Sequence, residues 1–465
     1  MKMNSKIRSQ FFSILFCLTA ASSLYAQMSQ PSDAGRQPIK NTSLIYPFFE
    51  KLAQLEENKN GKINIVHIGD SHIQSEHFIN AIRKPLQQQF GDGGRGFIFP
   101  YNTNKPTSKP YYYLTNAIWQ ICRNNLPSRC ESGTKLGLSG YGFSTKTKQF
   151  VFSVEASEAS YKFNTIKIVS PTTSLYRLAT VAGNEKPIIY NEKSSINYHK
   201  VKNGETLDVI AKNYNVSAEA IKKENKMKSN YIRAGRNLRI PITVTETIVD
   251  TSMFRPLEYQ LQEPFVSVYH QEEPISAIYL LPAKKEILYD LNGLIVEKDD
   301  PGIIYNNIGT VGSMIANYNE TPLFFEQLPV LSPDLVIVSF GTNESFSSIS
   351  VEKFINQMEL FIKNIRTFCN DVPILVITPP ISLLPNKKFN TYILEYSDAL
   401  SRKENVTLWD LYSFTKGLMG EKEDFAAIKI YKDYIHYTNE GYINQGTAFA
   451  NELLNEYKYY KRSRE

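Results

Sequence analysis

The run Ile63-Asn64-Ile65-Val66-His67-Ile68 leads straight into Gly69-Asp70-Ser71, and helix periodicity resumes through Phe78, Ile79 and Ile82. An apolar run this continuous fits a strand buried on both faces, with the helix after it covering one of them. The same alternation returns far downstream. Strands are expected at 303–308, 335–340, 374–378 and 406–411. Amphipathic helices lie between or after them, through Phe354, Met358, Phe361, Ile362 and Ile365 and through Tyr442, Phe449 and Leu453. An earlier helix, with Leu44, Phe48, Leu52 and Leu55 on one side, stops at Asn60-Gly61. The pattern predicts an α/β domain: a parallel sheet with helices on both faces.

Between about residues 101 and 300 the texture changes. Short stretches rich in Phe, Tyr, Val and Ile (150–154, 166–169, 278–280, 287–291) are broken by Pro, Asn-Gly and Ser/Thr clusters. This reads as antiparallel β structure, with Asn292-Gly293 as a hairpin turn. A compact unit at 198–242 interrupts it, flanked by polar linkers at 192–197 and 243–251. The expected organisation is nested: α/β segments 44–105 and 301–465, β-rich segments 106–197 and 243–300, and the small module 198–242 within. Surface loops tolerate such insertions.

The 465 residues are 42% hydrophobic and 21% charged. That composition excludes collagen-like, low-complexity and largely disordered classes. A formal charge of +6 without a concentrated basic stripe gives no sign of a nucleic-acid partner. Residues 1–26 have the pattern of a secretory signal: Lys2, Lys6 and Arg8, an apolar run, then small residues up to a cleavage point after Ala26. A lipid anchor at Cys17 is the alternative, opposed by the bulk of Phe16. No later apolar segment reaches the roughly 20 residues of a spanning helix. The expected location is outside the cytoplasm, in a periplasm or at the cell surface. Once Cys17 is removed, Cys122 and Cys130 are near enough in sequence to close a small loop in an oxidising compartment, and Cys369 reads as a buried thiol.

Four short blocks carry the chemistry. Gly69-Asp70-Ser71 puts a hydroxyl at the carboxyl end of a parallel strand, where open α/β sheets bind ligands. The Ser71 N–H there points to where an acyl oxyanion forms. Asn307-Ile308-Gly309-Thr310-Val311-Gly312 follows the second strand, and glycine at 312 lets the backbone N–H come close to a tetrahedral centre. Gly341-Thr342-Asn343-Glu344 follows the third, with the Asn343 amide as a further donor. Asp433-Tyr434-Ile435-His436 precedes the last helix. There the carboxylate can fold onto one imidazole nitrogen while the other faces Ser71.

In this order the four blocks resemble those of the SGNH (GDSL-type) hydrolase superfamily. The resemblance implies a three-layer α/β/α domain with a five-stranded parallel sheet, and ester hydrolysis without metal or cofactor. It assigns Ser71, Asp433 and His436 as catalytic and Ser71, Gly312 and Asn343 as the oxyanion hole. The strings His67–His72, Gly302–Gly309, Ser339–Glu344 and Thr378-Pro379-Pro380 look like those of bacterial peptidoglycan O-acetylesterases, which also carry a β-sandwich insert between the first and second blocks. The module at 198–242 resembles a LysM domain, a βααβ unit that binds N-acetylglucosamine-containing glycans. Carried over, its sugar groove is formed by Gly204, Glu205, Thr206 and Leu207 opposite Asn230 and Ile232.

His67, His72 and His77 cluster around Ser71, but their spacing is unlike that of a zinc helix, and His67 reads as a packed core residue. Gly91–Gly96 reads as a flexible connection at the cleft rim, with Arg95 able to meet an anionic group. The expected function is an exported serine esterase acting on O-acetylated peptidoglycan. The alternatives are a deacetylase or acetyltransferase on another polysaccharide, and a wall-binding scaffold without catalysis.

Overall fold

The computed structural model describes residues 38–464 except 102–109, 174, 184–186, 284–285, 287, 387 and 422. The secretory-signal pattern at 1–26 lies outside the described residues. Strands β1 (Lys62–Gly69), β2 (Gly302–Gly309), β3 (Leu335–Ser339), β4 (Ile374–Ile377) and β5 (Thr407–Trp409) form one sheet in the order β2-β1-β3-β4-β5. Every pairing is parallel.

Because side chains alternate along a strand, each strand feeds two cores. Ile63, Ile65, Tyr305, Ile337 and Ile377 pack with α1 (Tyr46–Asn58), α2 (Glu76–Phe90) and α5 (Asn439–Arg462). Val66, Ile68, Val336, Val338 and Val376 pack on the other side with α3 (Val351–Phe368) and α4 (Thr391–Ser401). The result is three layers, α/β/α. Each fully buried Ile or Val contributes about 1.5–3 kcal/mol of burial, which is why both faces need a cover. Strand β5 is shorter than its apolar run because Asp410 accepts from Ser413 N and starts a helix at Leu411.

Among the described residues the inserted region forms two five-stranded antiparallel sheets and a three-stranded one, with Phe152, Val154 and Ile278 from one five-stranded sheet and Ile166, Ile168 and Leu294 from the other in a shared core. That core is continuous with the α3 side of the parallel sheet. Asn292-Gly293 does not make a hairpin. Tyr289–Asp290 pairs with Tyr141–Thr145, whereas Gly293–Glu297 pairs with Phe163–Val169 and Gly96–Ile98, so the dipeptide crosses between sheets. A side chain at 293 would strike the Phe97 ring, which explains the glycine.

The segments read as polar linkers are strands. Ile188–Lys200 and Asn237–Val249 pair antiparallel along their whole length, so the two strands of the small module run on into the insert as one ribbon. The module has its own core of Val201, Leu207, Ile210, Ile221, Leu238 and Ile240. Its helices start at Thr206 and Ser217, whose hydroxyls accept from Val209 N and Ala220 N. Among the described residues no helix is long and apolar enough to cross a membrane.

Candidate active site

The register sets the site. Gly69 stands level with Gly309 on one side and Ser339 on the other, so three adjacent strands end together and release Ser71, the 310–313 loop and Gly341-Thr342-Asn343 at the same edge. Close approach requires glycine at two of these points. A Cβ on Gly69 would lie 2.5 Å from Ser339 O, and one on Gly341, at φ 127°, would lie 2.8 Å from the Pro379 ring.

Ser71 opens a short 3-10 turn, Ser71–Gln74, ahead of α2, rather than α2 itself. The Oγ of Ser71 is 2.8 Å from His436 Nε2, and His436 Nδ1 is 2.8 Å from Asp433 Oδ2. The other Asp433 oxygen accepts from the N–H groups of Ile435 and His436, both at 2.9 Å. Partial burial opposes ionisation of Asp433, but these hydrogen bonds prevail and hold its carboxyl below the usual range. Tyr434, between them, takes a left-handed φ of 59°, and its carbonyl is held by Leu383 N. Thr438 then caps α5, which packs closely on α2 through Gly446, where a Cβ would meet Phe78 O at 2.5 Å. This contact seats the histidine loop over Ser71.

Asn343 Nδ2 donates to Ser313 O at 3.0 Å, which leaves its second hydrogen only a long 3.5 Å contact with Asp70 Oδ2. Among the described residues the amides of Ser71 and Gly312 donate to no protein acceptor. Gly312 has φ 76°. Ser71 N–H, Gly312 N–H and the Asn343 amide are thus donors at one edge with capacity to spare for a ligand oxygen.

Beneath these donors lie two buried carboxyls. Asp70 accepts from His72 N and Glu344 from Gly341 N and Ile315 N. Burial pushes each up to about 7, against their backbone hydrogen bonds. His72 is held neutral, down to about 3, by burial and by the neighbouring His436, whose ring centroid is 5.2 Å away. His67 is likewise buried, its ring nitrogens within 2.9 Å of Tyr305 OH and 2.7 Å of Ser339 Oγ. Arg95 is not at a rim: its side chain is buried against Glu76 at 2.5 Å, and Gly96 enters a strand.

In the small module the expected groove residues divide. Leu207 is buried in the module core, and the Glu205 carboxylate is engaged by Lys202 N and His199 Nε2. Gly204, at φ 80° with open space around it, and Asn230 are exposed, while Ile232 packs against the core. Leu207 therefore has only its backbone to offer a sugar, because its side chain holds the first helix down.

Several neighbours of the site were not among the sequence-read residues. Gln74 Nε2 donates to Gly309 O and to Tyr141 OH, and Tyr141 OH accepts from Val311 N. Arg123 and Asn125 reach Val311 O. Cys122 and Cys130 form a disulfide that closes the loop carrying the last two.

A Ser-His-Asp chain of hydrogen bonds at the edge of a parallel α/β/α sheet, with amide donors beside it, is an arrangement able to carry out acyl transfer. Residues 288–449 match the family model described as GDSL-like lipase/acylhydrolase, and residues 199–241 match that of the LysM domain. The chain thus contains a segment similar to GDSL-like lipases/acylhydrolases and a segment similar to LysM domains. Its fold is similar to that of a solved peptidoglycan O-acetylesterase, at TM-score 0.57 and 17% identity over 89% of this chain and 96% of that one. A lipase/acylhydrolase from Enterococcus faecalis matches at TM-score 0.28 and 21% identity, over 33% of this chain and 77% of that one. An acetylxylan esterase from Geobacillus stearothermophilus matches at TM-score 0.24 and 18% identity, over 33% and 73%. No curated protein matches the chain by sequence.

Proposed function

We propose that the protein is an exported serine esterase that hydrolyses O-acetyl esters on peptidoglycan, with muramic acid as the acetylated sugar. The observation that carries this reading is the joining, in one chain, of a Ser71–His436–Asp433 relay to a LysM module. The likeness of the whole fold, insert included, to a peptidoglycan O-acetylesterase agrees with it. A disulfide between Cys122 and Cys130 fits an oxidising compartment.

In this mechanism His436 Nε2 takes the Ser71 proton as Oγ attacks the acetyl carbonyl. Asp433 keeps the imidazole in the tautomer that presents Nε2 as a base, and stabilises the imidazolium that forms. The N–H groups of Ser71 and Gly312 and the Asn343 amide receive the oxyanion, each such donor supplying about 3–4 kcal/mol of transition-state stabilisation. The imidazolium returns the proton to the sugar oxygen as it leaves. Water, deprotonated by His436, then releases acetate from the acetyl-serine. The LysM module holds the wall through a groove between Gly204–Thr206 and Asn230, raising the local ester concentration without touching the chemistry.

Acetate release from purified O-acetylated peptidoglycan tests the reading, with Ser71→Ala as control and acetylated xylan alongside. Release from the wall that disappears in Ser71→Ala supports it. Turnover on xylan alone overturns the substrate, and undiminished release by Ser71→Ala overturns the mechanism.

A further inference from the structure

The carbonyl of Val311 and the N–H of Gly312 are opposite ends of one planar peptide, so a group that holds the carbonyl also aims the N–H. Two side chains of the β insert hold it. Arg123 Nη1 donates to Val311 O at 3.1 Å and Asn125 Nδ2 donates to the same oxygen at 3.3 Å. Arg123 ends the strand Gln120–Arg123, Asn125 stands in the turn after it, and the Cys122–Cys130 disulfide closes the loop that carries both.

The contact is close and reinforced on either side. A Cβ at position 312 would come within 2.8 Å of Asn125 Nδ2, so the carboxamide lies directly on the glycine. Asn124, between the two donors, accepts from Ser313 Oγ at 2.5 Å and donates its own N–H to Gly140 O at 2.9 Å. The preceding amide, Val311 N, donates to Tyr141 OH of the insert at 3.2 Å. Val311 N, Val311 O and the Ser313 hydroxyl thus each answer to a residue that the parallel-sheet domain does not supply.

We propose that Arg123 and Asn125 are positioning residues for the Gly312 oxyanion donor, which makes the β insert a working part of the esterase site. They fix the plane of the Val311–Gly312 peptide. By hydrogen bonding its carbonyl, with a charged donor in the case of Arg123, they also polarise the peptide and strengthen its N–H as a donor. The inference rests on the reading of Gly312 as an oxyanion donor.

The test is steady-state hydrolysis of an aryl acetate by the full chain, comparing wild type, Arg123→Met, Asn125→Ala, the double variant and Arg123→Lys, with thermal unfolding of each. Loss of an oxyanion donor itself costs about 10²–10³ in kcat, so loss of its support is expected to cost less, about 5–10-fold for each single variant and about 30–100-fold for the pair. KM is expected to stay within about twofold, since an interaction made in the transition state is what weakens. Arg123→Lys keeps a charged donor and should recover most of the kcat lost in Arg123→Met. Wild-type kcat in the double variant, with Ser71→Ala inactive, overturns this inference and leaves the esterase reading standing. Losses of kcat that merely follow losses of thermal stability, with no rescue by lysine, also overturn it. Full activity in Ser71→Ala overturns both readings.

Discussion

Ser71 and His436, separated by 365 positions in the chain, meet at 2.8 Å between Oγ and Nε2. Their meeting depends on the α2–α5 packing at Gly446, and the imidazole is oriented in turn by a carboxylate on the same short loop.

In the proposed mechanism, replacing Asp433 by Asn removes the charge that stabilises the imidazolium and leaves an amide able to favour the wrong tautomer. Aryl-acetate kcat is expected to fall by about 10²–10⁴, the upper end being typical of a fully buried triad carboxylate. Asp433 keeps 42% of its side-chain exposure, so the lower half of that range is expected. A kcat within threefold of wild type would remove Asp433 from the relay.

Asp70 makes stability depend on pH. Its folded-state pKa is raised to about 7 by burial. Between the ordinary carboxylate range and that value, the unfolded chain is ionised while the folded chain keeps its proton. The folded state therefore binds more protons, and stability falls as pH rises through the window. Asp70→Asn removes this loss: relative to wild type it should be near neutral at pH 4 and stabilised by about 2–4 kcal/mol at pH 8. Denaturant unfolding at the two pH values checks the sign; a difference that does not grow with pH refutes the assignment.

The LysM core is separate from the other cores, so it can be damaged alone. Ile221 is fully buried there, and Ile221→Ala should cost the module about 2–5 kcal/mol. Sedimentation with insoluble peptidoglycan is expected to weaken while aryl-acetate kcat stays unchanged. Equal loss of both would mean the module and the hydrolase fold as one unit.

The Cys122–Cys130 loop carries Arg123 and Asn125, so the double change Cys122→Ser/Cys130→Ser has two expected effects. Loop-closure entropy alone predicts a loss of about 2–3 kcal/mol of stability. Freed from its closure, the loop should also hold Val311 O less firmly, lowering aryl-acetate kcat several-fold at temperatures well below unfolding. Unchanged kcat there would separate the disulfide from the 310–313 loop.

The parallel sheet was legible because its strands are buried on both faces, which writes near-continuous apolar runs such as Leu335–Ser339 into the sequence. The placements of the Ser71, Gly312, Asn343 and His436 blocks were legible because each sits at a strand end or helix start. The ribbon was not. Its second strand contains Thr243, Val244, Thr245, Thr247, Ile248 and Val249, a β-branched series, but its interspersed polar residues resembled a linker. Asn292-Gly293 misled for the opposite reason: a strong local turn signal was overruled by sheet-to-sheet packing against Phe97. Arg123 and Asn125 gave no signal at all, because their partner carbonyl is 188 and 186 positions away and any residue can supply a carbonyl.

The ribbon bears on how the proposed enzyme would work an insoluble surface. Outside the module the strands pair over 188–194 and 243–249, a spacer of about 24 Å at about 3.4 Å per residue. Under the proposed function, esters inside that reach would be cleared from a single foothold, and those beyond it would wait until the module lets go. Residence time of the module, rather than the speed of bond cleavage, would then govern how fast a whole sacculus is stripped, while short soluble fragments would escape that limit.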